Sequence, residues 1–127
     1  MAPYNISIKC SYDELWRYNI AVMCEVRAAG ERVELLKHID EIASVGSRLT
    51  EKPEGYNNDR NVVMHSVPGE QLLLYVYIIP HSLPDSRRVE SCPPFNIHIA
   101  IEHGGKMLHN RYHTINRWSG DNIEIKL

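Results

Sequence analysis

The sequence lacks an apolar run long enough to cross a membrane as a helix. Its longest, Leu72 to Ile79, has eight residues, against the roughly 20 that a spanning helix needs. The start, Met1-Ala2-Pro3-Tyr4-Asn5, carries no charged stretch followed by an apolar one. No signal peptide is therefore expected, and a cytoplasmic location is the default expectation. Cysteine is scarce. Cys10, Cys24 and Cys92 make an odd count without a CxxC spacing, which fits neither a disulfide framework nor a zinc knuckle. They read as free thiols, with Cys24 a small buried hydrophobe.

A basic excess is missing too. Lys and Arg number 14 against 16 Asp and Glu, for a net charge of -2. No basic stripe interleaves with aromatics, so a nucleic-acid reader is not expected. The seven glycines are scattered and form no phosphate-cradling motif, so no cofactor is expected. There is no G-x-S-x-G elbow and no EF-hand loop.

What is present describes one globular domain over residues 1–127. Apolar residues make up 43% and charged residues 24%, a balance that excludes wholesale disorder. Ile and Val total 22, while Leu and Ala total 16. That bias toward β-branched side chains favours strands. Tyr4 to Cys10 alternates, with Ile6, Ile8 and Cys10 on one face. Ser11 to Arg17 reads equally as a capped helix start or a loop. Residues 18–28 alternate again through Ile20, Val22, Cys24 and Val26.

Residues 31–45 give the one helical pattern. Leu35, Leu36, Ile39, Ile42 and Ala43 form an apolar stripe, with Glu31 and Glu34 in the first turns and Gly46 at a C-terminal cap. Strands are expected at 61–67 and 70–79, joined by a Pro68-Gly69 turn. The second is apolar on both faces, which marks a central strand covered on both sides. The expected helix is its natural cover. Phe95 to His103 and Lys106 to Thr114 read as a hairpin closed by Gly104-Gly105. Asn122 to Leu127 reads as an edge strand. The expected fold is mainly β (α+β): an antiparallel sandwich or curled sheet of six or seven strands carrying one amphipathic helix.

Two long polar stretches, 47–60 and 80–94, are expected loops. The first holds Glu51, Glu54 and Asn57-Asn58-Asp59, oxygens of the kind calcium loops use, though an ordinary solvated turn is the simpler reading. Trp118, beside the Ser119-Gly120 turn, is the aromatic most expected to be exposed.

Four of the seven histidines fall between 98 and 113. A two-residue turn at Gly104-Gly105 sets His103 opposite Lys106. That register puts His98 opposite Arg111, Ala100 opposite His109 and Asn96 opposite His113. His98, His109, Arg111 and His113 then share one polar face, with Leu108, Asn110, Tyr112 and Thr114 on the core face. At about 3.3 Å per residue, His109 and His113 are about 13 Å apart along the backbone, so they are expected not to share an ion. His98 and Glu102 are equally far apart, so the face offers two ligands to one metal, not the three of a catalytic zinc site. A polar, partly solvated face is the plain reading. The sharper one is recognition of a carboxylate, phosphate or acidic partner by Arg111 among His98, His109 and His113.

The functional expectation is a binding or interaction module with no evident catalytic machinery. It would associate with a protein partner or with itself, or take a small polar ligand. The alternative is a hydrolase using the histidines with Cys92 or a bound metal. Cys92 would need a base or cation beside it to lower its pKa, and Arg87 and Arg88 are the only hint of one.

Overall fold

Alternation is the organising rule of the chain. The computed structural model describes residues 1–41, 53–56, 59–81, 94–116 and 118–127. They form eight strands: β1 (Ala2–Ser11), β2 (Tyr18–Ala28), β3 (Glu31–Asp40), β4 (Asp59–Gly69), β5 (Gln71–Pro80), β6 (Phe95–His103), β7 (Lys106–Ile115) and β8 (Asp121–Lys126). The only helical element among them is a 3-10 turn at Leu15–Arg17, where the sequence allowed either a helix start or a loop.

All pairings are antiparallel, in two four-stranded sheets ordered β4-β1-β6-β7 and β3-β2-β5-β8. The inner rows of both sheets build one core. Ile6 and Ile8 of β1, Val22 and Cys24 of β2, Leu74 and Val76 of β5, and Ile97, Ile99 and Ile101 of β6 are buried in it. Burial at roughly 1.5–3 kcal/mol per large aliphatic side chain holds the two layers together. One flank is closed by contacts between β3 and β4. Arg60 lies 3.0 Å from Asp40, and the Val67 amide donates to Glu34 Oε1 at 2.9 Å.

The sandwich and the edge position of β8 agree with the sequence reading. The amphipathic helix does not. Residues 31–40 are a strand paired to β2, with Cys24 opposite Leu36 and Ala21 opposite Ile39. Residues 42–52, which include the rest of the expected stripe and Gly46, lie outside the described residues. The physical reason for the correction is the turn before it. Ala29 and Gly30 both have positive φ, 53° and 78°, as in a two-residue hairpin turn. They fold the chain straight back along β2, whose backbone groups need a partner. The helix-like spacing of three apolar residues is weaker than a ladder of hydrogen bonds.

The Pro68-Gly69 segment is also corrected. β4 and β5 do not pair, because they belong to different sheets. The chain crosses between layers there, and Glu70 donates its amide to the Arg27 carbonyl at 2.8 Å. Gly69 serves close approach: a Cβ there would lie 2.2 Å from Val26 Cγ1. Finally, β5 is central, but the described residues cover only one of its faces. Leu72, Leu74, Val76 and Ile78 are buried, whereas Leu73, Tyr75 and Tyr77 are half-buried and Ile79 is exposed.

Candidate functional site

The 95–115 hairpin decides which polar side chains meet. Gly104 and Gly105 have φ of 58° and 79°, the left-handed pair that a type I′ turn requires. Near this turn the expected register holds, with His103 opposite Lys106 and Glu102 opposite Met107. A bulge then shifts it by one residue. Ile101 lies opposite His109, Ile99 opposite Arg111 and Ile97 opposite His113. Slipping by one residue moves a strand's whole row to the other face.

The expected quartet is therefore split. His98 stands on the outer face of the first sheet, opposite Tyr112. His109, Arg111 and His113 stand on the inner-facing row of edge strand β7. Leu108, Asn110, Tyr112 and Thr114, expected in the core, are exposed. Trp118 is half-buried rather than exposed.

On the outer face, register builds a polar row: Asn61 of β4, Lys9 of β1, His98 of β6 and Tyr112 of β7 lie side by side. A groove of about 690 Å³ runs beside it, lined also by Ser11, Asp59, Arg60 and Asn96. His98 Nε2 donates to Asn110 Oδ1, which fixes its tautomer. Tyr112 is 74% exposed, and its ring tilts over His98 at 4.8 Å. Thr114 Oγ1 donates to Asn96 Oδ1 at 3.1 Å. Arg60 is held by Asp40 and lies over the Tyr56 ring at 4.3 Å. Its Nε sits within ion-pairing distance of Asp40 but off hydrogen-bonding geometry. Lys9, exposed, forms no ion pair with any described residue. Cys10, a buried member of the core, also lines the groove and donates to the Asn96 carbonyl at 3.6 Å. Burial pushes its thiol up to about 12, so it is not a nucleophile at neutral pH. Cys24 is likewise raised to about 12, by burial and then by Glu34.

The second cluster lies on the other side of β7. The Nε2 atoms of His109 and His113 are 2.9 Å apart. Their ring centres are 5.1 Å apart with planes within 14°. The centre separation exceeds the nitrogen separation by about one ring diameter, so the rings meet head to head in one plane. Backbone spacing alone made such a meeting unexpected; the two side chains lean toward each other and close the gap. One ring donates its N–H and the other accepts. A proton fits between them, whereas an ion needing two bonds of about 2 Å does not. Burial lowers the pKa of His109, helped by His113, Arg111 and His98. Burial and Arg111 lower that of His113, while Asp121 on β8 opposes them.

Among the described residues, no three His, Cys, Asp or Glu side chains gather as ligands for one ion, and no helix is long and apolar enough to cross a membrane. Cys92, Arg87, Arg88, Glu51 and Asn57-Asn58 lie outside the described residues, as does most of both expected loops. Sequence reasoning missed Lys9, Asn61 and Tyr112. The outward position of Lys9 was legible from the alternation of β1, but its neighbours belong to strands more than fifty residues away.

No family model matches the chain, and no curated protein matches it. Among solved structures, a DUF4425 family protein from Bacteroides ovatus ATCC 8483 is similar at 8% identity, covering 100% of this chain and 94% of that chain, with a TM-score of 0.45. At that distance the likeness decides neither fold nor function.

Proposed function

We propose that the protein is a binding module that takes a carboxylate-bearing polar ligand on the outer face of the first sheet. The observation that carries this reading is Lys9. Its ammonium has no counter-ion among the described residues, and it stands between Asn61 and His98 in the row beside the groove. A carboxylate would be held by Lys9 and the Asn61 amide, both hydrogen-bond donors, one of them charged. Tyr112 offers an exposed ring as a flat contact next to it. Of the four residues that the sequence suggested for partner binding, His98 belongs to this groove. His109, Arg111 and His113 face away from it, so one small ligand does not touch all four.

The test is an NMR titration of the chain with citrate and, separately, with inorganic phosphate. Saturable shifts of Lys9, Asn61, His98 and Tyr112 with citrate, lost in Lys9→Ala, support the reading. Stronger shifts with phosphate would reassign the anion class. No saturable shift with either, or shifts unchanged by Lys9→Ala, would overturn it.

A further inference from the structure

The second sheet presents a different outer face. Three cross-strand rows run from β3 to β8: Ile39, Ala21, Tyr77 and Asn122; Lys37, Met23, Tyr75 and Glu124; Leu35, Glu25, Leu73 and Lys126. Its middle is apolar and open. Ile39 is 70% exposed, Met23 and Ile79 are exposed, and Leu35, Leu73, Tyr75 and Tyr77 are only half-buried. No described element packs on it. A strand apolar on both faces is ordinarily covered on both, and a contiguous exposed apolar patch marks an interface.

We propose that this face binds a second copy of the chain, face to face, about a two-fold axis running along the strands between β2 and β5. The charges specify a copy of itself as the occupant. Within one row, a cation stands at the β3 edge (Lys37) and an anion at the β8 edge (Glu124). Lys37 forms no ion pair with any described residue, and Glu124 has only an exposed contact with Lys126 at 3.3 Å. The two-fold axis exchanges the edges. It sets Lys37 of each copy against Glu124 of the other, and Met23 against Tyr75, in the same row. In the neighbouring row Lys126 lies over Leu35, where its aliphatic stem covers an apolar side chain. Glu25 meets Leu73 and keeps Arg27 at 3.0 Å as its counter-ion. Two isologous Lys37–Glu124 pairs bracket an apolar centre, the arrangement that a symmetric dimer requires. Sheets stacked this way pack about 10 Å apart with strands roughly 30° off parallel. Four strands at about 4.8 Å and nine residues at about 3.3 Å give a projected face of roughly 570 Å². That is below the standard interface of about 800 Å² per partner, which points to a weak, concentration-dependent dimer.

The test is sedimentation velocity of the full chain over a wide concentration range, with circular dichroism to check that each variant folds. A monomer–dimer equilibrium is expected. Lys37→Glu and Glu124→Lys should each weaken it at least tenfold, and the double exchange Lys37→Glu/Glu124→Lys should restore it. Lys9→Ala, on the opposite sheet, should leave it unchanged, so failure of the groove reading and failure of this one are separable. A monomer at every concentration overturns the proposal. So does a dimer that neither charge reversal weakens, or that the double exchange fails to rescue.

Discussion

His109 and His113, four residues apart on edge strand β7, share one hydrogen bond through their Nε2 atoms at 2.9 Å. This contact makes the flank between β7 and β8 sensitive to acid. One proton between the rings joins them. A second sets two N–H donors against each other near Arg111, whose charge already disfavours protonation of both rings.

Both imidazoles are lowered from the ordinary 6.5, first by burial. The folded chain therefore takes up these protons less readily than the unfolded chain. The stabilisation is fully present above pH 6.5 and is lost as the pH falls through the lowered native values. Urea unfolding between pH 7.5 and 5 should show stability declining with acid. His109→Gln/His113→Gln should decline less steeply over the same window. Equal slopes would mean that the pair does not couple to folding.

Gly69 is expected to resist any side chain. A Cβ there meets Val26 Cγ1 at 2.2 Å and the Arg27 carbonyl at 3.3 Å. Gly69→Ala should cost about 1–3 kcal/mol through overpacking. In a Val26→Ala background the same change should cost less, by about 1 kcal/mol, because the two sites touch. Denaturant titration of the four proteins of this cycle measures it. A neutral Gly69→Ala would contradict the crossover geometry.

The thiols of Cys10 and Cys24 should be silent in the native protein. Both are buried and raised to about 12, and the thiolate is the reactive form. Iodoacetamide at pH 8, followed by peptide mass mapping, should leave both unmodified until urea unfolds the chain. Native labelling of either would show that its end of the core opens.

Much of the fold was legible because strand burial repeats every two residues. Seven strands and the Gly104-Gly105 turn follow from alternation and glycine placement, which are local properties. The eighth strand was hidden. Leu35, Leu36 and Ile39 satisfy a helical spacing as well as an edge strand, and only pairing with β2 chooses between them. Ala29 carried little warning, since a non-glycine residue rarely takes φ of 53°. The site was less legible than the fold. A single bulge, with Leu108 the extra residue opposite the Ile101–Glu102 step, reverses His109, Arg111 and His113, and no residue type announces it. The row of Asn61, Lys9, His98 and Tyr112 comes from four strands, so it exists only after the sheet is assembled.

The hairpin register underlies both the groove and the histidine pair, and cross-strand nuclear Overhauser contacts along β6 and β7 read it directly. His98 should contact Tyr112 as its paired residue, with Ile99 against Arg111 and Ile101 against His109. Contacts of His98 with Arg111 and of Ala100 with His109 would return all four side chains to one face and contradict the account.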